Sequence, residues 1–217
     1  MSDYPYLRRM RLLFPLLLLL FSCVTRRSVG STTPPDDAAA TQAELSATYL
    51  DPERTILTAT KRERLQELGG LTFYPISPDY RVEATVSRYA DPEIIQMPTS
   101  SGRIVAYRIF GQASFTLDGQ PVTLDLLETT NPNVPLEYQG LLFVPFRDAT
   151  SGTETYGGGR YLDVPTPEGN TVILDFNKAY HPYCAYSDGY SCPVPPEQNT
   201  LPVAVRAGIR NTDLGED

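Results

Sequence analysis

The chain has 217 residues, of which 41% are hydrophobic and 20% are charged, so it is long enough to bury a core in one domain with short appendages. Its formal net charge is −8, and a surface this acidic is repelled by phosphate backbones, which argues against nucleic acid as a partner. The 20 prolines interrupt helices and favour strands joined by turns.

The N-terminus has the pattern of an export signal. Three arginines precede an apolar run over residues 12–21. This run is too short to cross a bilayer core about 30 Å thick as a permanent helix, and it is typical of a signal peptide. It leads into Leu20-Phe21-Ser22-Cys23, which resembles the lipobox of bacterial lipoproteins. We therefore predict a signal peptide over residues 1–22 and a lipid on the thiol of Cys23; an ordinary secretory signal with an incidental cysteine is the alternative.

A spacer follows the signal. Residues 23–40 are rich in Ser, Thr, Pro, Asp and Ala and lack apolar periodicity, so we predict a disordered tether behind the lipidated cysteine. The predicted location is the bacterial cell envelope, with the chain lipid-anchored in a membrane and facing the periplasm or the cell exterior. Translation from Met10 in place of Met1 would still give a compact signal peptide.

Two short helices are predicted ahead of the rest of the domain. Residues 41–68 favour a helix, but Asp51-Pro52 interrupts it because proline restricts the residue before it. The second helical segment, near Ala59 to Leu68, ends at Gly69-Gly70.

From Leu71 onward the pattern changes to that of strands. Val82–Val86 alternates with period two, as a half-buried strand does, and Asp118-Gly119 is a strong two-residue hairpin signal. We predict one mainly β domain over residues 41–210, either an antiparallel β-sandwich or a partly open barrel, followed by a tail over 211–217. The other predicted strand segments are Ile104–Phe110, Phe115–Leu117, Val122–Leu124, Leu141–Val144, Val172–Leu174 and Val203–Val205.

The chain contains three cysteines. If Cys23 carries a lipid, Cys184 and Cys192 remain as a pair that can oxidise outside the cytoplasm. Free thiols and a metal site are the alternatives, but these two cysteines are too far apart for the short clasp of zinc sites. We predict a disulfide, with no metal and no cofactor.

Polar and aromatic residues concentrate between residues 146 and 199. Gly157-Gly158-Gly159 lets the backbone approach a ligand or another chain segment closely, but the helix and the Gly-Lys-Ser/Thr ending of a phosphate loop are missing. His181 beside carboxylates is a candidate general base, and a hydrogen-bonded structural role is the alternative. Arg160 with Asp148 or Asp175 would form a buried ion pair as an alternative to contacting a ligand.

Several motifs in the chain are those of a known family. They are Thr155–Tyr161, Asp175–Tyr180, Pro182–Cys184 and Cys192–Pro196, with Leu71–Pro75 and Tyr80–Ala84 at the opening and Ala207-Gly208 at the close.

From about Ala43 to Gly208, the chain resembles the bacterial family called domain of unknown function 1684, in its shorter, envelope lipoprotein-type form. The activity of that family is not established, so the resemblance implies a fold and the location of a site but no reaction. His181 stands where the family usually has Asn, and Gln198 where it usually has Glu. The first departure weakens a shared catalytic role for His181.

The crowding of Tyr, Asn, Asp and Arg near glycines and prolines predicts a binding module in the cell envelope. Aromatic rims with a few polar groups suit glycans or other small polar molecules, and an envelope protein is the alternative partner. The rival function is a hydrolase that acts on cell-wall or polysaccharide material with Asp148, Glu154 and Asp175 as its carboxylates. A purely structural domain is the third hypothesis. The predicted ligand-binding residues, beside the Cys184–Cys192 loop, are Tyr156, Arg160, Asp175, Asn177, Tyr180 and His181.

Overall fold

A computed structural model describes residues 36–215 of the chain, in which two helices precede seven strands. The predicted signal peptide, Cys23 and the spacer up to residue 35 lie outside the described residues. No helix within residues 36–215 has both the length and the apolar character that crossing a membrane requires. The elements are α1 (Asp36–Leu50), α2 (Ala59–Glu67), β1 (Arg81–Arg88), β2 (Ile94–Pro98), β3 (Ile104–Leu117), β4 (Gln120–Thr129), β5 (Leu141–Phe146), β6 (Arg160–Pro165) and β7 (Thr171–Asp175).

The seven strands form one antiparallel sheet that curls into a nearly closed barrel. Its strand order is β6-β5-β4-β3-β1-β7, and β2 pairs with β3 beside this path. Near the two ends of the order, Tyr161 of β6 and Tyr180 just after β7 exchange two backbone hydrogen bonds of 2.9 and 3.0 Å. The prediction of a mainly β, partly open barrel is therefore confirmed. The strands form one sheet and not the two packed sheets of the β-sandwich alternative.

The longest strand, β3, covers two segments that the sequence predicts as separate strands, Ile104–Phe110 and Phe115–Leu117. At its end Asp118 and Gly119 have φ values of 50° and 73°, which is the left-handed pair that the predicted two-residue hairpin requires. In its middle the register against β4 shifts between Ile109 and Gly111. A Cβ on Gly111 would lie 2.7 Å from the carbonyl oxygen of Ser87, so only glycine lets β1 approach here. This irregularity lets one half of β3 pair with β2 and the other half with β1.

The barrel interior is apolar and includes three phenylalanines that contact one another. The ring of Phe176 lies 5.3 Å from that of Phe146 and 5.9 Å from that of Phe115. A second, smaller cluster packs the two helices against the chain's last segment. Its fully or largely buried members are Tyr49, Leu57, Leu65, Leu71, Tyr186, Ile209 and Leu214.

Helix α1 begins at Asp36, five residues inside the predicted spacer, so the boundary at residue 40 is corrected to an earlier position. The run of alanines after Asp37 has high helix propensity, and an acidic residue near a helix N-terminus is favourable. Tertiary contacts hold this first turn in place: Ala38 is buried, and the carboxylate of Asp37 pairs with Lys178. The interruption after Leu50 and the second helix before Gly69 are as predicted.

The predicted strand Val203–Val205 is wrong, because no strand is assigned there. The segment does alternate: Leu201, Val203, Val205, Ala207 and Ile209 are all buried. Its backbone nevertheless takes many of its hydrogen bonds from side chains rather than from a neighbouring strand. Two short strands, β2 and β6, were not predicted from the sequence.

Two buried charged residues hold this C-terminal segment. Arg160 has no exposed surface, and its Nη2 lies 3.2 Å from Oδ2 of Asp148. Arg160 also donates to the carbonyl oxygens of Val205 (2.7 Å) and Ala207 (2.5 Å). Asp148 accepts a hydrogen bond of 2.6 Å from the backbone N–H of Val205. The ion pair predicted as an alternative for Arg160 is therefore present, with Asp148 as the partner.

Replacing Arg160 by methionine should destabilise the domain strongly. The change keeps an unbranched side chain but leaves the carboxylate of Asp148 buried without its cation, which costs about 3–5 kcal/mol. Urea denaturation of both proteins measures the loss.

The matched control is Arg108→Met, which removes a cross-strand ion pair with Glu128 whose side chains are both 45% exposed. This change should cost about 1 kcal/mol or less. Equal losses from the two substitutions would contradict the role given to the buried pair.

Candidate functional site

The structure separates the six residues that the sequence placed in one pocket. Tyr180 and His181 line a cleft of about 520 Å³, and the other four do not line it. Arg160 is wholly buried in the ion pair with Asp148, so its prediction as a ligand-binding residue is corrected to a structural role.

Asp175 and Asn177 form a clamp at one end of the barrel. The side-chain amide of Asn177 donates to the carbonyl oxygen of Ser77 (2.9 Å) and accepts from the N–H of the same residue (3.0 Å). Asp175 in turn accepts two hydrogen bonds from Asn177 and lies 3.8 Å from Nε of Arg81. These contacts are within the protein and neither residue lines the cleft, so a ligand-binding role for the two residues stays a prediction.

Tyr156 and His181 are joined through the backbone. The N–H of Tyr156 donates to Nε2 of His181 at 3.1 Å, so this nitrogen is an acceptor and the ring proton is on Nδ1, which lies 3.4 Å from the hydroxyl of Tyr186. Burial, together with the charge of Arg160, lowers the pKa of His181 to about 3. A neutral imidazole with both nitrogens engaged does not suit a general base, so that hypothesis for His181 is not supported.

The glycine run serves the packing of the chain itself. Gly159 has φ +94°, and a Cβ there would lie 2.6 Å from the carbonyl oxygen of Phe146. A Cβ on Gly158 would lie 2.3 Å from the ring of Tyr156. The close approach of another chain segment, rather than of a ligand, fits this geometry.

The three carboxylates proposed for hydrolysis are each engaged elsewhere. Asp148 is buried against Arg160, and Asp175 holds the clamp. Glu154 accepts from Nε and Nη2 of Arg206 at 2.8–3.1 Å and from the hydroxyl of Tyr74 at 3.0 Å. The hydrogen bonds from Arg206 lower the pKa of Glu154, which is the opposite of what a general acid needs.

The cleft lies on the outer face of the sheet, not in the barrel interior. Alternate residues of β5 and β6 belong to the core, so Phe143 and Asp163 point to the other side. These core residues are Leu142, Val144, Phe146, Leu162 and Val164. α1, the loop between β4 and β5, and the segment after β7 surround this face. The lining residues are Leu45, Tyr49, Tyr107, Thr129, Val134, Tyr138, Leu141, Phe143, Tyr161, Asp163, Tyr180, His181, Pro182, Tyr183, Tyr190, Ser191, Cys192 and Pro193.

Aromatic rings form a continuous row along this cleft. Tyr107 stacks on Phe143 with ring centroids 5.4 Å apart, and Phe143 meets Tyr161 edge-on at 4.7 Å. Tyr161 meets Tyr180 edge-on at 5.9 Å. These spacings are those of favourable aromatic pairs, so the row is well fixed without a ligand.

Of the residues that the structure describes, Asp163 is the one acidic residue that lines the cleft. It accepts a hydrogen bond of 2.6 Å from the hydroxyl of Tyr180, and within residues 36–215 it forms no ion pair with a lysine or arginine. Burial raises the pKa of Asp163, which the hydrogen bond from Tyr180 only partly offsets. Sequence reasoning missed this residue because β6 was not predicted, and its outward position is visible only once that strand is known.

A disulfide closes the segment that forms one wall of the cleft. Cys184 and Cys192 are bonded, as the cysteine count predicted. Ser100 ties the segment to the turn between β2 and β3, because its N–H donates to the carbonyl oxygen of Cys192 (2.9 Å). The hydroxyl of Tyr161 donates to the carbonyl oxygen of Pro193 at 2.5 Å. The described residues contain no group of three or more His, Cys, Asp or Glu side chains placed to hold a metal ion.

The chain is similar to one protein family and to one solved structure, and neither has an established activity. The model of a family described as "Protein of unknown function (DUF1684)" matches residues 66–210. The solution NMR structure of an uncharacterized protein from Haloarcula marismortui is 38% identical, with a TM-score of 0.63 over 83% of this chain and 95% of that one. No curated protein matches the chain. Neither likeness concerns export or lipidation, so the envelope-type form stays a prediction.

His181 should remain neutral over most of the acid range, because its pKa in the folded protein is lowered to about 3. In the unfolded chain, His181 takes up a proton near pH 6.5, and this favours unfolding. The free energy of unfolding should therefore be highest at neutral pH and fall as the pH drops below about 6.5. Between about pH 7 and about pH 5.5 the loss should be about 1 kcal/mol.

Substitution of His181 by Asn should remove this part of the pH dependence, because the amide does not titrate in this range. Urea denaturation at the two pH values measures the effect, and the imidazole NMR signals of this single histidine report its protonation directly. An imidazole that titrates near pH 6.5 in the folded protein would contradict the geometry described.

Proposed function

The chain belongs to the DUF1684 family, as the sequence resemblance predicted, and within that family we propose that its barrel is a binding module whose ligand occupies the tyrosine-lined cleft. The observation that carries this proposal is the carboxylate of Asp163, half-buried in the cleft and without a lysine or arginine partner in the described part of the chain. Such a group lowers the stability of a fold unless something else compensates it. Costly charges of this kind concentrate at functional sites.

The size and composition of the cleft support the same proposal. A volume of about 520 Å³ lies within the range of small-molecule sites. Its walls are mostly aromatic and apolar, with a few polar groups among them, which is the usual composition of such sites. Because the ring row is fixed by its own contacts, little ordering would accompany binding.

Hydrolysis of cell-wall material or polysaccharide is less well supported. Glycosidases use two carboxylates on either side of the bond that breaks. Residues 36–215 supply one carboxylate to the cleft, and the three candidates from the sequence are engaged in ion pairs or in the clamp. A purely structural domain gives no reason for a solvent-open cleft that keeps an unpaired charge.

Filling the cleft should abolish binding of small molecules. Val134 lines the cleft from the loop between β4 and β5, so Val134→Trp places an indole in the ligand's space. The probes are a panel of simple sugars, amino acids and organic amines, with binding followed by saturation-transfer NMR. We expect at least one class to bind the wild-type protein and to lose its signal in this variant.

The matched control is Leu136→Trp, in the same loop but at a position 79% exposed that does not line the cleft. It should bind the probes as the wild-type protein does. If every probe that binds does so equally to both variants, the cleft is not the binding site.

We further propose that the module is an exported lipoprotein, anchored in a membrane of the cell envelope through Cys23. The support is the apolar run over residues 12–21, the lipobox-like sequence that ends at this cysteine, and the Cys184–Cys192 disulfide, a bond typical of oxidising compartments. In that location a small polar ligand or an envelope protein would be the partner.

Substitution of Cys23 by Ser should release the protein from the membrane fraction of the source cells. The intact mass of the native protein should correspond to a chain that begins at Cys23 and carries lipid. The paired variant Cys184→Ser with Cys192→Ser should stay membrane-bound. A native chain that keeps residues 1–22, lacks lipid and has both late thiols free would contradict the proposal.

A further inference from the structure

We propose that the ligand of the cleft is a small organic cation, an alkylated ammonium group that lies against the carboxylate of Asp163 among the tyrosine rings. This inference rests on the proposed binding function and specifies the chemistry of its ligand.

The charges that line the cleft favour a cation. Among residues 36–215, Asp163 is its one charged side chain, since no lysine or arginine of this range lines it. His181 adds no positive charge, because both of its ring nitrogens are engaged and it is buried in its neutral form. A phosphate or carboxylate ligand would therefore meet a negative charge with no cation to balance it. A ligand with one positive charge would pair with Asp163.

The ring row favours an alkylated cation over a strongly hydrated one. The faces of Tyr and Phe rings attract cations, and aromatic cages recognise quaternary ammonium groups in this way. The hydroxyls of Tyr161 and Tyr180 are already donated to Pro193 and Asp163, so these two residues offer a ligand mainly their rings. An alkylated nitrogen needs few hydrogen bonds and buries its methyl groups against such walls.

Two other ligand classes fit less well. A metal ion prefers several oxygen or nitrogen ligands, and the described lining of the cleft supplies a single carboxylate. A sugar could hydrogen-bond to the tyrosine hydroxyls that line the cleft, but it is neutral and would leave the charge of Asp163 unbalanced. An alkylated ammonium group uses both the negative charge of Asp163 and the π faces of the rings.

The test compares choline with 3,3-dimethylbutan-1-ol, which has the same shape with carbon in place of the charged nitrogen. Isothermal titration calorimetry with the folded wild-type protein should show saturable binding of choline, and the neutral compound should bind at least about tenfold more weakly. Asp163→Asn, which can still accept from Tyr180, should reduce choline binding to the level of the neutral compound.

Asp125→Asn is the matched control for this charge change. Asp125 is also buried, burial also raises its pKa, and it forms no ion pair within residues 36–215, but it does not line the cleft. Its variant should bind choline as the wild-type protein does. Phe143→Leu tests the rings separately: it keeps an apolar wall, so it should weaken binding of choline more than binding of the neutral compound.

A structural role for Asp163 predicts a different result. Because burial raises its pKa, the ionised carboxylate destabilises the fold, and Asp163→Asn should melt at the same temperature as the wild-type protein or higher. Equal binding of choline and its neutral analogue, or binding of sugars but not of choline, would overturn the inference while the binding function survives. Absence of binding by any probe in the panel would overturn both.

Discussion

The buried ion pair between Asp148 and Arg160 is the contact on which the arrangement of this domain depends. One guanidinium and one carboxylate hold the backbone at Val205 and Ala207, so a segment with no complete partner strand is fixed across the barrel by side chains. Breaking such a buried pair is costly because it leaves one charge uncompensated. The same segment carries the alternating apolar residues from Leu201 to Ile209 into the core. The C-terminal part of the chain is thus integral to the barrel rather than an appendage.

This arrangement gives structural roles to several of the residues that mark the family. The glycine run from Gly157 to Gly159 meets its own chain, Arg160 serves the ion pair, and Asn177 closes one end of the barrel. These residues position the scaffold. The cleft proposed to bind the ligand lies on the opposite face of β5 and β6, where Phe143, Tyr161 and Asp163 occupy outward positions of the two strands. The uncompensated charge of Asp163 lowers the stability of the barrel, and such a cost is common at functional sites.

Much of the fold can be predicted from local signals. The Asp118-Gly119 turn requires a left-handed pair that few other sequences favour, and the Asp51-Pro52 break places the end of α1. The site could not be predicted in the same way. Alternation at Val203–Val205 shows which residues are buried but not whether a strand or side chains take up their backbone hydrogen bonds. Asp163 has no motif of its own, and its role depends on rings brought to it by β3, β5 and the segment after β7, contacts that exist only in three dimensions.

We propose that the ligand site is the tyrosine-lined cleft and not the surface formed by the glycine run and the C-terminal segment. A chemical-shift map of the backbone amides, recorded while the folded domain is titrated with choline, tests this most directly. We predict that the largest shifts occur at residues 161–163, 180–183 and 190–193, with little change at residues 203–209. Shifts centred on Gly157–Gly159 and the C-terminal segment, or no shifts at all, would contradict the account.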